Sequence, residues 1–270
     1  MKPPLISLTV LVLALTSACQ ITDVQAVPAR TWTSLSGSVA ATDLDEEGSL
    51  RGSTLDELGI GGRESSDRIS LEWERRGDHW QLFGYAMDSK GSGSLADDLH
   101  LEGEELRWDQ GEVDTDLHFG LYGLRWVRPI ANEGDLEVSA GLSLVFAELD
   151  LDLDQLALDP DDPPGTEPTP KSTGKSATIP FPLPALDLRY DHESFDARLA
   201  LSGLWVWVEE GDGHIIDLDF QFVVPIFDDI GDLVCGYHEF EFELEHSSSG
   251  ERARLDVTLS GPYLGLRFGF

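Results

Sequence analysis

The stretch from Arg252 to Phe270, which ends the chain, constrains its fold more than any other. Apolar residues occupy alternate positions, as expected of a β-strand whose successive side chains point to opposite faces. The apolar phase shifts by one residue at Gly261-Pro262, and a β-bulge at this dipeptide would account for the shift. Because an unpaired apolar strand at a terminus invites aggregation, we expect this strand to pair with an earlier one and close a barrel. The apolar positions are Ala253, Leu255, Val257 and Leu259 before the shift, and Leu264, Leu266, Phe268 and Phe270 after it.

Most of the preceding chain also reads as strands, which clusters of Gly, Asp, Pro and Ser separate. After the N-terminal apolar run, no segment reaches the roughly 18 apolar residues of a membrane-spanning helix. The sequence therefore predicts an all-β fold, a closed antiparallel up-and-down transmembrane β-barrel of about ten strands, with eight or twelve as alternatives. The predicted strands are 67–76, 79–88, 99–108, 113–128, 136–154, 176–191, 194–208, 214–227, 230–246 and 252–270.

The N-terminal segment has the features of an export signal. Lys2 precedes an apolar run from Leu5 to Leu15, and small residues follow, so we assign residues 1–18 as a signal peptide. The residues up to Cys19 resemble the lipobox of bacterial lipoproteins, which implies that Cys19 is lipidated. Ordinary cleavage, either before Cys19 or after Ala26, is the alternative. The other cysteine, Cys235, lies within a strand pattern and is predicted to be a small apolar residue rather than a disulfide partner.

Residues 19–66 alternate only weakly between apolar and polar positions. The sequence predicts an N-terminal lead-in for this segment, or one hairpin that pairs Thr31–Leu44 with Arg51–Ile60. The barrel itself is predicted to occupy residues 67–270.

The alternating apolar residues that end in Phe270 resemble the C-terminal strand of bacterial outer-membrane β-barrel proteins. The resemblance covers the chain from about Asp67 onward and implies a location in the bacterial outer membrane. It also implies two partners, the lipid of that membrane and the barrel assembly machinery, with Phe270 as the assembly signal. Tryptophans near the predicted strand ends would form aromatic girdles at the two membrane interfaces. They are Trp73, Trp80, Trp108, Trp126, Trp205 and Trp207.

The charge balance is strongly acidic and excludes one class of partner. The chain has 51 Asp and Glu against 18 Lys and Arg, a formal net charge of −33. Nucleic-acid binding depends on Lys and Arg that neutralise phosphates, so we predict no nucleic-acid partner. The acidic residues indicate either a solvated surface, as in a saline habitat, or a surface that attracts cations.

Carboxylates occupy alternate positions in two segments and form two carboxylate ladders. Alternate residues on one strand face are about 6.6–6.8 Å apart, and hard oxygen ligands of this kind bind Ca²⁺ or Mg²⁺. If the ladders are adjacent, they predict a cation site; otherwise they form a face that points to water or to the barrel interior. The first ladder is Glu148, Asp150, Asp152 and Asp154, and the second is Glu239, Glu241, Glu243 and Glu245.

One short motif raises the question of catalysis. His246-Ser247-Ser248 resembles the His-x-Ser of outer-membrane lipid A deacylases, which implies His246 and Ser248 as candidate catalytic residues. No acidic residue is evidently placed to orient the histidine, and the alternative is an ordinary polar loop. The sequence contains no Gly-x-Ser-x-Gly motif, phosphate-binding loop or dinucleotide fingerprint, and we predict no cofactor.

The predicted size of the barrel limits its function. A barrel of about eight to ten strands is filled by side chains or holds one small ligand, so a general-diffusion porin is excluded. The expected role is structural or adhesive, or the selective passage of small cationic solutes. A lipid-modifying outer-membrane enzyme and a lipid-anchored periplasmic barrel that binds an unknown small molecule are the alternatives. Five arginines are expected to pair with acidic residues inside the barrel, namely Arg125, Arg128, Arg189, Arg198 and Arg267.

Overall fold

The computed structural model describes the main chain of residues 22–43, 53–95, 99–101, 104–106, 112–157, 169–208, 211–227, 231–248 and 251–270. Within these ranges no helix is long and apolar enough to cross a membrane. The strands are β1 (Thr22–Asp43), β2 (Ser53–Thr54), β3 (Gly62–Arg75), β4 (Asp78–Gly93), β5 (Leu99–Leu101), β6 (Glu104–Leu106), β7 (Val113–Glu133), β8 (Leu136–Ala157), β9 (Thr169–His192), β10 (Phe195–Val208), β11 (Gly211–Phe227), β12 (Gly231–Ser248) and β13 (Glu251–Gly269).

The ten long strands form one closed antiparallel barrel, as predicted. Each long strand pairs with the preceding and the following one, and β13 pairs with β1 from Gly269–Gln25 to Glu251–Asp43. The main-chain N–H of Phe270 donates to the carbonyl of Val24 at 2.9 Å, so the last residue lies at the closing seam. The short strand β2 pairs with β1, and β5 and β6 form a separate hairpin.

The two ends of the barrel differ in their connections. The near end carries Phe270 and three tight described turns, between β3 and β4, β7 and β8, and β9 and β10. In the first of these, Arg76 and Gly77 have φ of 57° and 80°, and this left-handed pair matches the twist of a two-residue hairpin. The far end carries the longer connections, those that contain residues 44–61, 94–112 and 158–168.

The barrel has ten strands, as predicted, but one of the ten is not a segment that was predicted to be a barrel strand. Thr22–Asp43 is the first barrel strand, although a lead-in or hairpin was predicted there. Leu99–Trp108 was predicted as a barrel strand, but its described residues form only the hairpin of β5 and β6. Ser89–Gly93 lies between the predicted strands 79–88 and 99–108, but in the structure it belongs to β4 and pairs with β7. The turn after Arg75 lies at the near end.

The outer face of the near half is apolar and its inner face is polar. On β11, Phe220 and Ile226 point outward and are exposed, whereas Asp217, Asp219 and Gln221 point inward and are buried. The same arrangement holds around the barrel. Exposed outward side chains include Ile69, Leu82, Leu142, Leu144, Leu186, Leu201, Leu264 and Leu266.

In the far half the two faces exchange character. On β8, Leu142 and Leu144 are exposed on the outside, whereas Leu151 and Leu153 point inward and are buried. The ladder from β8 to β9 runs without a register shift from Leu136 to Ala157, so the strand itself is regular. The apolar pattern changes phase because the apolar environment moves from the outside of the wall to the inside.

This exchange of faces, and not the predicted bulge, explains why the apolar phase shifts in the last strand. β12 and β13 pair without a register shift past Tyr237–Pro262 and His238–Gly261, so the bulge at Gly261-Pro262 is wrong. Leu259 and Tyr263 are both buried and point inward, while Leu264 is exposed on the outside. The apolar residues therefore change face at Gly261 although the alternation of the main chain does not.

Candidate functional site

A layer of buried charge, which we call the charged layer, crosses the interior of the near half. At its centre, Nη2 of Arg125 donates to Oδ2 of Asp217 at 2.8 Å and to Oγ of Ser202 at 3.0 Å. Nε2 of His238 lies 2.8 Å from the other carboxylate oxygen of Asp217. These side chains come from β7, β10, β11 and β12, so the contacts tie opposite walls of the barrel together.

Arg198 forms the second part of the charged layer. Its Nε donates to Oδ2 of Asp187 at 2.7 Å, and its Nη1 donates to Oε1 of Glu72 at 2.9 Å. Nη2 of Arg198 and Nη1 of Arg125 both donate to Oε1 of Gln81 at 3.2 Å, which links this part to the centre. Since both arginines have carboxylate partners, the layer places no uncompensated guanidinium in the interior.

Arg68 completes the charged layer and was not singled out from the sequence. It pairs with Asp219 on β11 and lies over the ring of Tyr263 on β13, 4.5 Å from the ring centroid. The hydroxyl of Tyr263 donates to Asp219 at 2.9 Å. A lone arginine in an alternating strand gives no sequence signal of its own. The only indication in the sequence was its alternate position between Asp67 and Ile69, which both point outward in the structure.

Four of the five arginines predicted to face inward do so, and one does not. Arg125 and Arg198 belong to the charged layer, while Arg189 pairs with Asp187 and Arg267 pairs with Asp196 and Asp232 nearer the end of the barrel. Arg128 is exposed on the outer face and pairs with Asp78 beside the first tight turn. Nε of Arg128 donates to Asp78 at 2.7 Å, and Nε1 of Trp126 donates to the same carboxylate at 3.0 Å.

The interior of the far half is an apolar core with its own internal segment. Residues 53–60, which we call the plug, place Leu55, Leu58 and Ile60 in a cluster with inward residues of the wall. The plug lies on the inner face of β4, where a Cβ at Gly91 would be 1.9 Å from the carbonyl oxygen of Gly59. Wall members of the cluster include Phe119, Leu121, Leu153, Leu183, Phe240, Phe242, Val257 and Leu259.

The two carboxylate ladders lie on the outer face of the far half and are not adjacent. Glu148, Asp150 and Asp152 are on β8, whereas Glu241, Glu243 and Glu245 are on β12, with three strands between them. Asp150 faces His118 of β7, and Glu243 faces Asp256 of β13. Among the described residues, no group of three or more His, Cys, Asp or Glu is placed to hold a metal ion. The condition for the predicted cation site, adjacent ladders, is therefore not met.

The second ladder has basic partners of its own. His214 places its two ring nitrogens 3.1 Å from Glu241 and 3.4 Å from Glu243. Arg254 donates to Glu243 at 2.8 Å. Partial burial, together with the neighbouring Glu243, raises the pKa of Asp256. The outer wall of the far half is thus acidic but partly neutralised.

The remaining predicted site residues fall at the edges of the described chain. His246 and Ser248 lie at the C-terminal end of β12, where they pair with Ala253 and Glu251 of β13. Their side chains lie outside the described part of the chain. Cys19 also lies outside it, and Cys235 is a free, exposed cysteine on the outer face. Phe270 is exposed beside the closing seam.

Three of the tryptophans that were predicted to form aromatic girdles cluster on the outer face at the near end. Trp73 stacks on Trp80 with ring centroids 6.1 Å apart, and Trp80 lies 6.2 Å from Trp126. The three residues face one another across β3, β4 and β7. Trp205 is exposed in the far half of β10. Trp108 and the side chain of Trp207 lie outside the described part of the chain.

The architecture resembles that of known outer-membrane proteins. The structure of the outer-membrane protease OmpT from Escherichia coli matches with a TM-score of 0.62 and 9% sequence identity, over 92% of this chain and 97% of OmpT. This chain has the fold of a bacterial outer-membrane β-barrel. At that identity the likeness shows the fold alone. No family model and no curated protein matches the sequence.

Two further structures match with lower scores. The toluene transporter TodX of P. putida matches with a TM-score of 0.36 and 9% identity, over 95% of this chain and 92% of TodX. The attachment invasion locus protein Ail of Yersinia pestis matches with a TM-score of 0.31 and 8% identity, over 91% of this chain and 99% of Ail.

Proposed function

We propose that this chain is a bacterial outer-membrane protein whose near half spans the bilayer and whose far half projects from the cell surface. The observation that carries the proposal is the exchange of faces, apolar outside in the near half and acidic outside in the far half. On β11 the outward apolar residues run from Ile216 to Ile226, and at about 3.3 Å per residue and a tilt of about 40° they cover roughly 25 Å. This height on β11 matches the apolar band of outer-membrane barrels. On the neighbouring β12 the acidic outer face begins beside Leu218 and Ile216, which pair with Glu239 and Glu241.

The tryptophan cluster at the near end supports the same placement. Tryptophan is enriched where a membrane protein crosses from hydrocarbon to headgroups, because its ring is apolar and its N–H is polar. Trp126 satisfies both requirements, since its ring stands on the outer face and its Nε1 donates to Asp78 at 3.0 Å. Phe270, on the same end, is proposed to act as the assembly signal.

The role that the interior of the described residues favours is structural, without passage of solutes. The charged layer crosses the near half with paired side chains, and the apolar core and the plug occupy the far half. Selective passage of small cations would require a continuous polar path, and the apolar core interrupts such a path. The acidic outer wall is then the surface that the protein presents outside the cell.

Two measurements test this proposal together. Membrane fractionation and migration on unboiled gels are expected to place a heat-modifiable barrel in the outer membrane. Planar bilayers that contain the purified protein are expected to stay at the conductance of protein-free bilayers. Recovery from the soluble fraction would contradict the membrane placement, and discrete conductance steps would contradict the closed interior.

An enzyme that modifies lipids is the second candidate, and it rests on the His-x-Ser sequence at the end of β12. Lipid-modifying activity that is abolished by His246→Ala and by Ser248→Ala, in proteins that still migrate as folded barrels, would support it. Activity retained in both variants would exclude these residues. Mass spectrometry of the mature N-terminus tests whether Cys19 is lipidated.

A further inference from the structure

One seam of the barrel wall is only half closed by hydrogen bonds. β9 and β10 pair from His192–Phe195 to Ala185–Ser202, and the ladder stops there. β10 continues to Val208 fully paired with β11, and β9 continues back to Thr169 fully paired with β8. Among the described strands, none pairs with the two free edges. The wall therefore has no ladder on the far side of Ala185 and Ser202, in the region that we call the β9–β10 seam.

Three prolines explain why the ladder stops at this point. Pro180, Pro182 and Pro184 lie in β9 immediately beyond Ala185, and the ladder to β8 runs through all three without a break. Proline has no N–H, so an unbroken ladder to β8 requires the intervening residues to carry its hydrogen bonds. In an antiparallel strand, alternate residues bond to opposite neighbours. The three prolines therefore turn their donor-less nitrogens toward β10, where no ladder can form.

These prolines lie within β9, as the outward neighbours of Phe146, Leu144 and Leu142 on β8. They thus stand in the apolar outer band of the barrel, and the opposite edge of the seam carries the exposed Trp205. Both outer lips of the seam are apolar.

The inner side of the seam leads directly to the apolar core. Ile179 and Phe181 of β9 and Leu204 of β10 pack against that core but are only partly buried, unlike its fully buried members. The ring of Phe181 lies 5.3 Å from that of Phe242, which is buried on β12. Apolar side chains therefore follow one another from the outer face to the core along this part of the wall.

Among the described residues, other parts of the chain stand between the apolar core and the two ends of the barrel. The charged layer separates it from the near end, and the plug occupies its far part. The ladder between β3 and β4 also ends early, at Arg68–Tyr85, but there the plug backs the wall, and Ser89 donates to the carbonyl of Ile60 at 3.3 Å. An apolar molecule would reach the core most directly through the β9–β10 seam.

We infer that the β9–β10 seam is a lateral entrance through which an acyl chain from the surrounding membrane enters the apolar core. The inference rests on the proposed membrane placement of the near half. The occupant is an acyl chain because the outer edges and the inner lining of the seam are apolar. The seam also lies at the level of the outward residues Leu142 and Leu144, within the proposed membrane band. Both a phospholipid and a free fatty acid carry this chemistry, and the experiment separates them.

The experiment maps acyl chains by photo-cross-linking in nanodiscs. The protein is reconstituted with a phospholipid, or in a second arm with a free fatty acid, that carries a diazirine near the end of its acyl chain. After illumination, mass spectrometry locates the adducts. Inward adducts on Phe181, Leu204 and Phe242 report entry, whereas outward adducts on Phe220 and Leu264 report only contact with lipid. The arm that gives inward adducts identifies the source of the chain.

Two variants close the seam in independent ways. Pro180→Val/Pro182→Val/Pro184→Val restores the missing N–H donors and lets the ladder extend toward Val208. Pro184→Cys/Gly203→Cys, in a Cys235→Ala background, joins the two edges when oxidised and frees them on reduction. The matched control is Leu142→Val/Leu144→Val, which changes outward residues on the fully paired seam between β8 and β9.

The inference predicts inward adducts in the wild type and in the control variant. They should fall by more than half in the valine variant and in the oxidised cysteine variant, and return on reduction. Outward adducts should stay unchanged in all of them. Outward adducts without inward ones would overturn the lateral entrance and leave the membrane placement intact, and equal inward adducts in the closed variants would overturn it as well. Absence of outward adducts would instead contradict the membrane placement.

Discussion

Arg125 and Asp217 meet across the interior of the barrel, 2.8 Å apart, with side chains that are only 2% and 1% exposed. The arginine stands on β7 and the aspartate on β11, and Asp217 also accepts from Ser202 and contacts His238. A pair this deeply buried is costly to desolvate, so each partner depends on the other. The pair thus connects opposite walls and helps to close the near half to water.

Removal of one partner is expected to be strongly destabilising. Arg125→Met should lower the free energy of unfolding by about 3–5 kcal/mol, because the charge on Asp217 stays buried without its guanidinium. Arg125→Met/Asp217→Asn should recover a large part of that loss. Urea unfolding in detergent, followed by the mobility of the folded band on unboiled gels, measures both. A loss below about 1 kcal/mol for the single variant would place the pair among weak surface contacts.

The contact between the plug and β4 depends on glycine. A Cβ at Gly91 would lie 1.9 Å from the carbonyl oxygen of Gly59, and one at Gly93 would lie 1.8 Å from that of Glu57. Gly91→Ala should therefore displace the plug and lower the free energy of unfolding by about 1–3 kcal/mol, as overpacking does. Ser92→Ala, on the exposed outer face of the same strand, is the control. Unfolding midpoints that coincide for the two variants would show that the plug does not rest on β4.

The outer wall of the far half should respond to pH through Asp256. Its pKa is raised above 3.8 by partial burial and by Glu243, so the folded protein binds this proton more tightly than the unfolded chain. Its contribution to stability is therefore fully present below pH 3.8 and is lost as the pH rises through the folded pKa. Asp256→Asn removes this loss.

The asparagine variant should be more stable than the wild type at neutral pH and should match it at low pH. The temperature at which the folded gel band disappears measures both. Thr258→Val, at the next outward position of the same strand, is a control that changes no charge. A wild type that stays as stable as the asparagine variant at neutral pH would contradict the repulsion between Asp256 and Glu243.

The sequence predicted the fold class because most barrel strands show strong contrast between faces. Ile216 to Ile226 on β11 and Leu136 to Phe146 on β8 alternate cleanly with small or polar residues, and both sets point outward. β1 was missed because Thr31, Thr33, Ser34 and Ser36 give little contrast, although Thr31 and Thr33 are buried. Hydroxyl side chains suit both a polar interior and a strand surface, so their alternation carries little information.

The interior was harder to predict because the alternation records the environment of a face and not the register of a strand. At Gly261 the apolar face moves from inside to outside, and this change produces the same pattern as a bulge would. The pairing of Arg125 with Asp217 joins residues 92 positions apart, and no local pattern encodes that contact. The half-closed seam follows from Pro180, Pro182 and Pro184 only when the partner on each side of β9 is known.

The exchange of faces is tested most directly by a cysteine scan along β8. Single cysteines at the outward positions 142, 144, 148, 150 and 152, and at the inward position 151, are introduced into a chain without Cys19 and Cys235. Whole cells are then treated with a membrane-impermeant maleimide. The account predicts labelling at 148, 150 and 152 and none at 142, 144 or 151. Labelling at 142 and 144 as strong as at 150, or labelling at 151, would contradict it.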